Sequence, residues 1–146
     1  TAFTPHCSWD RSLARKLMQT FLPSKNFSTS AQILDYRRLG KQRVEAYQLW
    51  LGQWPNHPAA KMWLGYREAL ALYTNTIIEE WIGRGYKNNM KMLPVDEVVY
   101  PPWLGSDIHT THRSNLLRKD PEYYSQFNWA EPDDMEYIWP TKVDAI

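Results

Sequence analysis

The sequence contains only one cysteine, which excludes an intramolecular disulfide framework and a Cys-rich zinc site and leads us to expect a cytoplasmic protein. No run of about 18 apolar residues occurs, so no membrane-spanning helix and no membrane partner are expected. Residues 1–17 lack the apolar stretch and small-residue cleavage site of a secretory signal. Phosphate-binding loop, GxGxxG and GxSxG motifs are also absent, so a nucleophilic triad is not supported.

The chain has almost no net charge, at +1, but that charge is unevenly distributed. Residues 1–119 sum to +7, with the densest positive charge in residues 18–43, whereas residues 120–146 sum to −6. Such an asymmetry suggests that the chain binds a polyanion. Ordinary solvated surface is the alternative, and charge alone does not decide between the two.

Apolar residues make up 43% and charged residues 23% of the 146 positions, as in a globular protein of one domain. Ser28, Thr29 and Ser30 offer N-caps for a helix over residues 31–51. At about 100° per residue, its apolar arc comprises Ile33, Tyr36, Leu39, Gly40, Val44, Ala46, Tyr47, Trp50 and Leu51. The opposite, basic arc comprises Arg37, Arg38, Lys41, Gln42, Glu45 and Gln48.

Two residues of this helix stand out. Gly40 either interrupts the helix or allows another element to approach its backbone closely. Arg43 projects into the apolar arc, where a charge needs a partner or a ligand.

A second, long central helix is predicted from Asn56 as N-cap, with Pro58 in its first turn, to a stop at Gly83. Its apolar positions recur at spacings of three and four and are Met62, Tyr66, Ala69, Leu70, Tyr73, Ile77 and Trp81. Residues 87–105 are predicted as a loop, followed by a short helix over 111–118 and another that begins at Asp120-Pro121. Strand-like alternation is nearly absent, so the predicted fold is an all-α, compact, single-domain helical bundle.

The basic arc is the first candidate site. Arg37, Arg38, Lys41 and Arg43 lie within seven residues, and such side chains neutralise phosphates. Glu45 follows them, and a carboxylate beside several bases suits electrostatic stabilisation or a general base. The alternative is a solvated face in which Lys41 and Glu45 form an ion pair one turn apart. We favour the functional interpretation, because three bases share an arc with little opposing charge.

Histidines mark two further segments. His57 lies at a helix start, which attracts anions, although an incidental histidine beside a capped helix is the alternative. His109 and His112 have only Asp107 near them as a further ligand type, so we predict no metal site. Phosphate contact is the favoured role for His112, Arg113, Ser114, Arg118 and Lys119, with Asn115 among the DNA-binding candidates. The aromatic side chains from Tyr123 to Trp139 are predicted to be mostly core.

At several positions the chain resembles the pyrimidine-dimer DNA glycosylases of the phage endonuclease V type, and especially their bacterial relatives. The matching motifs are MQTFLP at 18–23, LDYRRLGKQRVE at 34–45, NHPAAKMW at 56–63, RGYKNNM at 84–90 and HRSNLLRKDPEYY at 112–124. The resemblance implies a compact helical domain over residues 18–140, between an N-terminal extension, 1–17, and a tail, 141–146. It implies a monomer without a cofactor that acts on double-stranded DNA with a damaged or modified base, in the cytoplasm and near the nucleoid.

The resemblance also implies how the reaction proceeds. An α-amine attacks the sugar C1′, forms a Schiff base and couples base excision to strand cleavage, because an α-amine with a pKa of about 8 has far more free amine near neutral pH than a lysine has. The predicted catalytic residues are Thr1, Glu45, Arg37 and Arg38. The catalytic Glu of the phage enzymes aligns with Arg38, so Glu45 is the expected substitute. The amine belongs to Thr1, to Met18 or to a lysine. The alternatives are a non-catalytic DNA-binding module and a modified-base-processing enzyme on the same scaffold.

Overall fold

The computed structural model describes residues 19–140, and this part of the chain contains helices and no β-strand. Six α-helices and one short 3₁₀ helix follow in chain order: α1 (Phe27–Ile33), α2 (Tyr36–Trp50), α3 (Pro58–Lys61), α4 (Arg67–Gly83), α5 (Ile108–Lys119), α6 (Pro121–Tyr124) and the 3₁₀ helix Ser125–Phe127. The prediction of an all-α bundle is therefore confirmed. None of the described helices is long and apolar enough to cross a membrane.

The first predicted helix is wrong in its extent, because the structure divides it into α1 and α2. Leu34 and Asp35 are extended between them, and the cap of α1 is Asn26, which accepts from the Thr29 amide, instead of Ser28–Ser30. Arg84 stabilises the break, since its guanidinium donates to the carbonyl oxygen of Leu34 at 2.7 Å. A distant side chain thus satisfies carbonyl groups that the end of a helix leaves without partners.

The second predicted helix is also divided. His57 instead of Asn56 caps α3, because its Nδ1 accepts from the Ala59 amide. The backbone then turns at Gly65, whose φ of +88° favours glycine, before α4 begins at Arg67. The predicted apolar stripe is nevertheless correct, since Tyr73 and Ile77 are fully buried at its centre. Asp120 and Pro121 begin α6 as predicted, with Asp120 accepting from the Tyr123 amide.

The buried face of α2 differs from the predicted one. Tyr36 and Leu51, placed on the apolar arc, are about half exposed, whereas Gln42 and Glu45 from the basic arc are buried. The helix packs mainly on α4. Gly40 lies at this contact, where a Cβ atom would come within 2.9 Å of the Trp81 ring, so the close backbone approach predicted for Gly40 is present.

Beyond the helices, irregular segments also contribute to the core, and two of them position the site. Residues 19–23 run through the middle of the bundle, and Phe21 and Leu22 are fully buried. Residues 129–139 lie against α5, where buried side chains hold the backbone. The Met135 amide, for example, donates to the Ser114 hydroxyl at 3.0 Å. The predicted aromatic core is confirmed at Tyr124, which is fully buried.

Candidate active site

The site begins with the irregular segment 19–22, whose backbone groups are bonded by side chains instead of by a neighbouring strand. Gln42 accepts from the Phe21 amide at 2.6 Å and donates to the Gln19 carbonyl at 2.9 Å. Tyr73 donates its hydroxyl to the Phe21 carbonyl, and His112 accepts from the Leu22 amide at 2.8 Å. Because a buried backbone group without a partner is costly, these side chains fix the path of the segment.

This segment leads directly to the carboxylate of Glu45. The backbone nitrogen of Gln19 donates to Glu45 Oε1 at 3.3 Å, and Lys41 Nζ lies 3.7 Å from Oε2. Glu45 is only 9% exposed, and desolvation raises its pKa to about 7 despite the opposing charge of Lys41. Both protonation states of this carboxyl group are therefore populated near neutral pH.

Two helices bring positive charge near Glu45. Arg38 and Lys41 come from α2, and Arg118 and Lys119 come from the last turn of α5. Desolvation lowers the pKa of Lys119, and the charges of Lys41, Arg38 and Arg118 lower it further. Glu45 interacts with Lys41 and Lys119, and Lys119 also interacts with Arg38 and Arg118, so two basic segments far apart in sequence approach each other near Glu45.

Two buried residues, Asp35 and Tyr124, hold Arg38 in place. Its Nη1 lies 3.2 Å from Oδ2 of Asp35, and the other oxygen of this buried carboxylate accepts the Tyr124 hydroxyl proton. An aspartate at a helix N-cap ordinarily accepts from the first turn of its own helix. Asp35 makes no such bond, because its carboxylate is turned to Tyr124 and Arg38. Burial and the hydrogen bond to Asp35 raise the pKa of Tyr124 well above its usual range.

Several residues predicted to contact DNA lie elsewhere. Arg43 stacks on the Trp81 ring, with its Cζ 4.8 Å from the centroid, and bonds Asn88 at 2.7 Å, so it has the partner that its place on the apolar arc demanded. Arg113 pairs with Glu131 at 2.6 Å and donates to the Pro23 carbonyl.

The remaining DNA-binding and catalytic candidates are either buried or exposed, except for one that lies outside the described residues. His112 and Asn115 are fully buried and His57 nearly so, and each forms a hydrogen bond with the backbone, so all three have a structural role in the described fold. Burial lowers the pKa of His112 to about 3 and keeps its ring neutral. Arg37 is exposed on α2. Thr1 lies outside the described residues.

The sequence does not identify the buried side chains that position the site, namely Gln42, Tyr73, Asp35 and Tyr124. The available signal for Gln42 is its helical spacing from the apolar residues Leu39, Ala46 and Leu49, although the helical wheel places it on the basic arc. Among residues 19–140, no group of three or more His, Cys, Asp or Glu side chains is arranged to hold a metal ion. The described site therefore offers a carboxyl group that titrates near pH 7 among several cations, which suits proton transfer beside a bound polyanion.

Comparison with known proteins identifies a family that matches this chain. A family model described as pyrimidine dimer DNA glycosylase matches residues 18–94, more than half of the chain. The matched part contains segment 19–22 and Glu45, whereas Arg118 and Lys119 lie beyond it. No curated protein and no solved structure matches the chain. The chain belongs to the pyrimidine dimer DNA glycosylase family, whose members are enzymes that act on DNA.

Proposed function

We propose that this protein excises a damaged pyrimidine, as in a pyrimidine dimer, or a modified base from double-stranded DNA and then cleaves the strand as an abasic-site lyase. The observation that carries this proposal is the Glu45 carboxyl group, which is buried, has a pKa raised to about 7, accepts from the Gln19 backbone nitrogen and interacts with Lys41 and Lys119. A duplex supplies a polyanion for these cations and for Arg38 and Arg118, which interact with Lys119.

In the proposed reaction an amine attacks C1′ of the damaged nucleotide, and the glycosidic bond breaks with its electron pair passing to the departing base, which takes up a proton. Loss of a proton from the attached nitrogen and opening of the sugar ring leave an imine at C1′. A base then removes a 2′ proton, and the C3′–O bond breaks to release the 3′ phosphate. Glu45 is the proposed proton carrier, as an acid toward the departing group and as a base at C2′.

The proposed nucleophile is an α-amine. Thr1 is one candidate for this amine, and the proposal then requires that its nitrogen reaches Glu45. In a chain that begins at Met18, one residue separates the amine from the Gln19 nitrogen, which already bonds Glu45. This contact favours Met18. An α-amine has a pKa of about 8, so it is available as a nucleophile where an ordinary lysine is protonated.

Phosphate contacts are proposed for Arg38, Lys41, Arg118 and Lys119, which share the region around Glu45, and for the exposed Arg37. Each guanidinium or ammonium group that neutralises a phosphate releases a counterion and contributes to affinity. Arg43 and Arg113 are left out of the proposed interface, because Arg43 lies against Trp81 and Asn88, Arg113 pairs with Glu131, and neither belongs to the cations that interact with Lys119.

Borohydride reduction tests the proposal on duplexes that contain a pyrimidine dimer or an abasic site. The expected result is a covalent protein–DNA adduct, and mass spectrometry of its peptides identifies the amine. Glu45→Gln is expected to bind the duplex but to lose strand cleavage, whereas the control Glu97→Gln, at an exposed acid, is expected to retain it. Tight binding without an adduct on either substrate would contradict the lyase and leave a DNA-binding module.

A further inference from the structure

Two neighbouring hollows open on the surface where α2 ends and α4 begins. The first, which we call the Trp50 hollow, has a volume of about 270 Å³. Three of its lining residues, Leu49, Trp63 and Leu70, are buried apolar side chains, and a fourth, Leu64, is 57% exposed. An apolar hollow with an exposed leucine beside it is typical of a surface that a ligand or a partner covers.

The charged side chains that line the Trp50 hollow are all positive. They are Lys61 and Arg67, and no acidic residue lines this hollow. Neither cation forms an ion pair with the described residues, although Arg67 lies over the Trp50 ring, with Cζ 3.9 Å from its centroid, and donates to the Trp50 carbonyl oxygen. The hollow therefore complements an apolar group that has a negative charge beside it.

The second hollow adjoins the first, since Gly65 and Arg67 line both. It also has a volume of about 270 Å³, and we call it the Val99 hollow after a lining valine that is 63% exposed. Besides Arg67 it is lined by two acidic residues, Glu68 and Glu97. Two adjoining hollows with different charges fit successive side chains of one extended peptide, whereas the acids of the second hollow repel the phosphates of a nucleic acid.

We infer that the two hollows bind an extended segment of a partner protein. A large apolar side chain of this segment fills the Trp50 hollow, an acidic residue lies beside Lys61, and a basic residue lies at Glu68 and Glu97. The Trp50 hollow is smaller than sites for whole small molecules, which range from about 300 to 1,000 Å³, so its volume suits one side chain. No cation of the proposed DNA interface lines either hollow, so the inference does not depend on the proposed action on DNA.

Fluorescence anisotropy of labelled peptides tests this surface on the full chain. The probes are the peptide Asp-Asp-Phe-Ser-Lys-Lys and the same residues in reverse order, which together cover both directions of a bound chain. One of them is expected to bind, and its counterpart with serine in place of phenylalanine is expected to bind about tenfold more weakly, because the apolar anchor is lost. A counterpart with serine in place of every charged residue is also expected to bind more weakly, and most clearly so at low salt. Failure of both probes to bind would overturn the docking surface.

Two variants of the protein locate the bound peptide. Lys61→Gln and Leu64→Ser are each expected to weaken binding of the better probe about threefold to fivefold, because one removes an exposed ion pair and the other part of the apolar contact. The matched controls are Lys91→Gln and Ile82→Ser, at exposed side chains that line neither hollow, and both are expected to bind the probe as the original protein does. Equal affinities in variants and controls would overturn the docking surface. Variants that lose affinity for a DNA duplex but not for the probe would assign the hollows to DNA and overturn it as well.

Discussion

The backbone nitrogen of Gln19 and the carboxylate of Glu45 are joined by a hydrogen bond of 3.3 Å, although 26 residues separate them. This contact brings the start of the described chain to the carboxyl group that titrates near pH 7. Gln42, one turn before Glu45 on α2, bonds the carbonyl of the same Gln19. A single helix face thus positions both the carboxyl group and the backbone that reaches it.

Glu45→Gln is expected to stabilise the protein above pH 7 while it removes cleavage. The folded-state pKa of Glu45, about 7, exceeds the ordinary value of 4.5. The folded state therefore holds a proton that the unfolded state has lost between these values, and stability falls as pH rises from about 4.5 to about 7. At 1.36 kcal/mol per pKa unit, the loss is about 3 kcal/mol.

Urea denaturation of both proteins at pH 5 and pH 8 measures this effect. The variant is expected to gain stability relative to the original protein at pH 8 and to show little difference at pH 5. Equal differences at the two pH values would mean that Glu45 does not titrate in this range. In the proposed lyase, the elimination rate of the original protein is also expected to rise through pH 7, as Glu45 becomes the unprotonated base.

Gln42→Leu is expected to destabilise the protein by about 3 kcal/mol or more, because it leaves buried groups of segment 19–21 without partners. Gln42 is fully buried and bonds the Phe21 amide, the Gln19 carbonyl and the Tyr73 hydroxyl. Gln48→Leu, on the less buried side of the same helix, serves as the control. Chemical denaturation compares them. A loss no larger than that of the control would show that segment 19–21 does not depend on Gln42.

The parts of the fold that local chemistry determines were predictable. Asp120 and Pro121 are a cap and a first helical residue in sequence and in structure. The stripe that contains Tyr73 and Ile77 is the core side of α4. The need of Arg43 for a partner was also predictable, because a charge on an apolar arc requires one. Asn88 and Trp81 supply it.

The site was less predictable, because its decisive contacts are between distant segments. The polarity of Gln42 and Glu45 predicts a place on the exposed basic arc. They are buried because the irregular segment 19–22 enters the core with backbone groups that need polar partners. The same need explains His112, which is predicted to contact phosphate and instead accepts from the Leu22 amide. No helical period reveals that an unpaired backbone segment will pass beside these side chains.

The salt dependence of DNA binding is expected to separate cations at the Glu45 site from cations engaged elsewhere. Replacing Arg38, Arg118 or Lys119 by alanine removes a proposed phosphate contact, so the slope of log K against log salt is expected to fall by about 0.9 for each. Arg113→Ala is expected to leave the slope unchanged and to lower stability, because it breaks the pair with Glu131. A slope that falls equally in all four variants would contradict this division.

His112→Asn is expected to abolish the part of the protein's destabilisation in acid that His112 causes. The pKa of His112 is lowered to about 3, so below pH 6.5 the unfolded state binds a proton that the folded state refuses, and stability falls as pH drops. Asparagine offers an oxygen to the Leu22 amide but does not titrate. Relative to the original protein, the variant is expected to gain about 2 to 3 kcal/mol between pH 6.5 and 4.5. Thermal or urea unfolding at both values measures it, and parallel pH profiles would contradict it.

Tyr124→Phe is expected to weaken DNA binding through Arg38, without touching DNA itself. The Tyr124 hydroxyl donates to the Asp35 carboxylate and accepts from the Asp35 amide at 3.0 Å, and that carboxylate holds Arg38. Losing the hydroxyl leaves a buried amide without its partner, at a cost of about 2 kcal/mol in stability, and frees the carboxylate to draw Arg38 inward.

A double-mutant cycle on DNA affinity distinguishes this role of Tyr124 from a purely structural one. If Tyr124 acts through Arg38, then Tyr124→Phe weakens binding in the original protein but has little further effect in Arg38→Ala, so the two changes are not additive. Tyr123→Phe, in the neighbouring ring, is the control and is expected to change neither affinity nor the cycle. Additive losses would show that the Tyr124 hydroxyl supports the fold without positioning Arg38.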